Sequence, residues 1–132
     1  MYNLQISEEQ AQVISRCTEF FARVQMGQLE DVFYQLMDSP KFLGLSVDER
    51  QALRSLLAEA GQAFTKLGTG ASFGIRNEGI PETARVAWDL YQVIRQVLAW
   101  KRQPTGGDQV QFSDPMQVAG TELAHMEKGL DK

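Results

Sequence analysis

Two short sets of residues carry side chains able to hold a small anion. Between Gly68 and Gly79 the chain reads GTGASFGIRNEG, in which Ser72 and Asn77 offer hydrogen bonds, Arg76 a planar cationic fork and Phe73 a flat apolar face. Glycines let backbone amides come close to a ligand, and the helix expected after this loop presents unpaired N–H groups at its start. Further on, Ala84, Trp88, Tyr91 and Arg95 recur at i, i+4, i+7 and i+11, which places them on one side of a helix. Trp, Tyr and Arg dominate binding hot spots: the rings stack on a base or a partner side chain, and the guanidinium pairs with phosphate or carboxylate. Ser72, Phe73, Arg76, Asn77, Trp88, Tyr91 and Arg95 are therefore the candidate ligand-binding residues. Each set also has a plain structural reading, as a loop pinned to the core by Phe73 and Ile75, and as a core edge with Arg95 lying over an aromatic face.

Other chemistry is poorly supplied. The glycine spacing fits neither GxxxxGK[ST] nor GxGxxG, and Glu78 and Glu82 can occupy the helix start themselves. Ser72 in G-A-S-F-G echoes a nucleophile elbow without the strand and placed histidine such an elbow needs. The carboxylate pairs Glu8/Glu9, Glu30/Asp31 and Asp48/Glu49 fall beside caps or on polar faces, where solvation and the helix dipole account for them. One Cys and one His, far apart, do not make a metal-ligand set. Cys17 falls on an apolar helical face, as a small buried hydrophobe in a reducing compartment would. No catalytic residue, metal or cofactor is expected.

The elements that must position these residues read as helices. From 81 to 102, Val86, Ala87, Leu90, Tyr91, Val93, Ile94, Val97, Leu98 and Trp100 sweep close to half the helix circumference, so this helix is expected at the centre of the fold. Pro81 suits its start, and Lys101, Arg102, Pro104 and Gly106 suit its stop. Near the N-terminus Ser7 opens S-E-E-Q, a capping box, and Val13, Ile14, Cys17, Phe20, Phe21 and Val24 follow at helical spacing. Leu29, Val32, Phe33, Leu36 and Met37 continue helically in a rotated register, so the chain is expected to bend near Gly27. Ser46 opens a second capping box before a narrower stripe of Leu53, Leu56, Leu57, Ala60, Ala63, Phe64 and Leu67. The fold class is thus mainly α, a small bundle of three to four helices around the 81–102 helix. The alternation at 4–6 and 109–112 allows a short two-strand ribbon. Residues 1–113 read as a single globular helical domain and 114–132 as a flexible tail.

At 132 residues, 43% apolar and 23% charged, the chain suits a globular domain that needs no staple. A net charge of −4 argues against general nucleic-acid binding, and no apolar run is long enough for a membrane span. The expected setting is the cytoplasm. The breadth of apolar surface on the 81–102 helix suggests a homo-oligomer with Trp88, Tyr91 or Trp100 near the interface.

In Met26-Gly27-Gln28, Ala71-Ser72-Phe73-Gly74-Ile75, Pro81 with Ala84-Arg85-Val86-Ala87, and Tyr91-Gln92-Val93-Ile94-Arg95 to Ala99-Trp100, the chain resembles small phage- and prophage-encoded proteins of unassigned function. The likeness covers most of 8–113. It implies a host-cytoplasm setting and a protein that acts by binding, either as a blocker of a host protein or as an oligomeric sponge that traps a nucleotide signal in counter-defence. It transfers no residue roles.

Overall fold

The computed structural model describes residues 1–129, which form five helices: α1 (Glu8–Gln25), α2 (Asp31–Leu36), α3 (Pro40–Leu43), α4 (Val47–Thr65) and α5 (Glu82–Arg102). The fold is mainly α, with one helix beyond the expected three to four because the short Pro40–Leu43 turn also winds up, Pro40 standing at its start. No strand occurs among the described residues. The chain divides into two compact units, one formed by Met1–Glu19 with the chain from Pro81 onward, the other by Phe20–Ile80.

In the first unit α5 is the central element. Ala84, Asp89, Gln92, Val93, Ile94 and Ala99 are buried along it. The start of α1 is set by the reciprocal Ser7/Gln10 capping box, with amide-to-side-chain distances of 2.8 and 3.2 Å. Lys101 near the end of α5 pairs with Glu8. After α5, Gly106 adopts φ +76°, and a Cβ there would lie 2.7 Å from the Trp100 ring, so glycine is required both for conformation and for room.

The expected ribbon does not form. Val110–Phe112 is a 3-10 turn whose amides bond locally, Phe112 N–H to Gln109 O and Ser113 N–H to Val110 O. Phe112 is buried with its ring edge-on to Trp100, 5.6 Å between centroids, and the Trp100 indole N–H donates to Phe112 O at 3.0 Å. Alternation over four residues reports that one side chain is buried and the next is not, which a pinned turn satisfies as well as a strand.

Residues 114–120, assigned to the tail by composition, are fastened along α5 in antiparallel sense by its polar side chains. Gln96 Nε2 donates to Asp114 Oδ1 at 3.0 Å, and Gln92 exchanges two bonds with the Met116 backbone at 2.9 and 3.0 Å. Asp89 accepts from the Val118 and Ala119 amides at 2.9 and 3.0 Å, and Glu82 accepts from Gly120 N–H at 2.5 Å. The grip is on main chain, which explains why a stretch without apolar pattern is nevertheless anchored.

In the second unit α1 ends at Gln25 and Gly27 turns the chain with φ +87°, where the register shift places the bend. α4 begins on the Ser46/Glu49 capping box, whose two hydrogen bonds to Ser46 hold the Glu49 carboxyl below its ordinary value. It ends at Lys66 in the left-handed conformation, two residues before Gly68.

Cys17 is exposed, contrary to the burial expected of it. α1 buries Ala11, Ser15 and Ala22, while Val13, Cys17 and Phe21 lie outward. Small side chains let neighbouring backbone approach closely, and that preference outranks hydrophobicity on this helix.

Candidate functional site

The loop after α4 is held mainly by its own polar groups. Phe73 N–H donates to Met26 O at 2.9 Å, and Ser72 Oγ accepts from Gln28 Nε2 at 3.3 Å. Gln28 in turn accepts from Arg23 Nη1 at 2.7 Å. Segments 26–28 and 71–75 therefore meet in space. Asn77 closes a turn, accepting from Gly79 N–H at 2.9 Å through Oδ1 and from Ile80 N–H at 3.0 Å through its carbonyl. Ser72 and Asn77 are thus engaged in building the loop, Phe73 is half-buried, and Arg76 is exposed with no hydrogen bond or ion pair to another described residue. His125 pairs with Glu127, two residues away, and Ser72 Oγ meets an amide donor.

On α5 the expected stripe is assembled. The Trp88 and Tyr91 rings lie 5.3 Å apart at 56°, and Arg95 Cζ sits 4.8 Å above the Tyr91 ring centre. Arg95 Nη1 donates to Tyr91 Oη at 3.2 Å. Its Nε is shielded from solvent and meets no acceptor among the described residues. A shielded, unpaired N–H costs about 1–3 kcal/mol, and hydrogen bonds to charged groups are at the strong end of the scale. Burial first, and then the Glu19 carboxylate that accepts from its hydroxyl, push the Tyr91 phenol above its ordinary value, against the lowering effect of Arg95. Glu19, Tyr91 and Arg95 form a polar chain, and the Trp88 ring packs against Tyr91.

The structure therefore brings Trp88, Tyr91 and Arg95 together in one unit, and Ser72, Phe73 and Asn77 into one loop, with Arg76 exposed on it, in the other. Sequence reasoning missed Glu19 altogether, since nothing in its neighbourhood marks it. It also missed Asp89, Gln92 and Gln96, for which a signal exists: with Glu82 they recur at i, i+7, i+10 and i+14, a polar line along one side of α5. Among the described residues no three His, Cys, Asp or Glu side chains gather as a metal site, and no helix is long and apolar enough to cross a membrane. Compared with protein-family models, with curated proteins and with solved structures, the chain matches none. The chemistry of the site rests on its own geometry.

Proposed function

We propose that this chain is a non-enzymatic binding protein that captures a small, planar, phosphorylated ligand of nucleotide type, acting in the host cytoplasm as a counter-defence sponge of the kind the phage-protein resemblance implies. The observation that carries the reading is Arg95: its guanidinium stands over the Tyr91 ring, against which Trp88 packs, with Nη1 tied to the phenol and Nε buried and without an acceptor among the described residues. Such a group is pre-oriented, so little entropy is lost when an oxyanion meets its remaining edge, while Trp88 offers a face for a base. Arg76, on the loop of the other unit, is a second cation to be tested on its own.

Calorimetry of the intact protein against a panel of cyclic and linear nucleotides is the test. At least one should release heat, and Arg95→Ala should weaken its binding by about tenfold or more. Arg95→Lys should fail to restore it, because a point charge cannot replace the planar fork. Silence across the panel would overturn the reading. A blocker of a host protein is the second reading, favoured by the outward Val13 and Cys17 on α1. It predicts that Val13→Glu abolishes capture of one defined host protein while leaving nucleotide binding as it was.

A further inference from the structure

α4 is amphipathic in the reverse of the usual sense. Amphipathic helices turn the apolar side toward their own core, yet here the side nearest the rest of its unit carries Arg50, Leu57, Gly61 and Thr65, with the exposed Arg54 among them. Arg50 lies over the Phe42 ring and donates to Leu43 O, and Arg54 lies over Phe33 and reaches Glu30 and Tyr34. Gly61 sits so close to the bend that a Cβ on it would be 3.3 Å from Gly27 O. Away from that side Ala52, Leu56, Ala60 and Ala63 fall within about 80° of arc, and all four are exposed, Leu56 by 62%; Phe64, also exposed, stands at the border beside the Gly27 bend.

We propose that this face is covered by the same face of a second copy, the two α4 helices lying antiparallel about a two-fold axis near residue 58. The sequence is self-complementary about that point. Residues equidistant from it share a layer, so Leu56 meets Ala60 at the centre and Leu53 meets Ala63 next to it. Each large side chain falls opposite an alanine, and symmetry makes every such contact twice, as an isologous interface requires. The acidic first turn, Asp48 and Glu49, lies beside the other copy's Lys66, and the helix dipoles oppose. Glu59 lies near the axis, so its carboxylate faces its own copy, the repulsive element of this register. The inference does not depend on the ligand reading, since it concerns a different unit and a different side chain set.

Sedimentation or light scattering of the intact chain should give an even multiple of 14.8 kDa. Leu56→Glu and Ala60→Glu should each halve that mass while leaving the helical circular dichroism unchanged, both positions being exposed. With Cys17→Ser as background, chains bearing Leu56→Cys mixed with chains bearing Ala60→Cys should form a disulfide-linked pair on mild oxidation at least about tenfold faster than either kind alone, since facing Cβ atoms meet the distance a disulfide needs. A monomer at every concentration, an assembly indifferent to Leu56→Glu, or cross-linking as fast within either single variant would each overturn the proposal.

Discussion

At the scale of single residues, Gly27 and Tyr91 are the positions where local geometry makes the firmest demands. Gly27 combines positive φ with a Cα whose missing Cβ would overlap Thr65 Cγ2. Left-handed strain of about 1–2 kcal/mol and overpacking of about 1–3 kcal/mol then add, so Gly27→Ala should destabilise the protein by about 3 kcal/mol. Urea unfolding should show a lower midpoint at unchanged slope, and Thr65→Ser, which removes only the methyl, should restore part of the loss. No restoration would mean that φ alone sets the requirement. Tyr91 has a folded-state pKa above its unfolded value near 10, so its contribution is fully present below pH 10 and is lost as pH rises through the raised value. The alkaline absorbance titration of the native protein minus that of Tyr91→Phe should therefore have its midpoint above 10, and a midpoint at or below 10 would remove the burial and Glu19 effects described above.

At the scale of elements, α5 both organises its unit and secures the chain beyond it. Asp89 is only 4% exposed and Gln92 7%, whereas Met116 in the segment they hold is 64% exposed. The attachment thus rests on hydrogen bonds from buried side chains more than on apolar burial. Asp89→Ala strands the Val118 and Ala119 amides, a loss of about 2–4 kcal/mol in the attached state. Limited proteolysis should then cut within 113–121 in the variant under conditions where the native protein resists, with α5 itself remaining helical. Equal resistance in both would show that the segment is held by something other than this polar line. α1 and α4 share a different lesson: Ala11, Ala22 and Thr65 are buried on them while Val13, Phe21 and Leu56 are exposed, so hydrophobicity alone misplaces part of their buried faces.

At the scale of the whole molecule, the proposed pairing through α4 would make stability a function of concentration. If a second copy covers that face, folding and association are linked, and the midpoint of thermal unfolding rises with protein concentration by mass action. Leu56→Glu should flatten that dependence without lowering the midpoint at high dilution. A slope equal in both proteins would place the linked association elsewhere on the surface.

The sequence by itself determined the helices, because their periodicity, capping boxes and glycine stops are local: Ser7/Gln10, Ser46/Glu49, the bend at Gly27 and the full run of α5 were all legible. It also determined that Trp88, Tyr91 and Arg95 share one side, since helical spacing compels it. Which side of α1 and α4 turns inward was decided only by tertiary structure, because close approach at Gly61, Ala11 and Ala22 competes with burial of larger side chains, and the winner depends on the neighbour's shape. The turn at Val110–Phe112 and the anchoring of 114–120 were likewise settled by contacts with α5 that lie 12 to 38 residues away in the chain, beyond the reach of any local pattern.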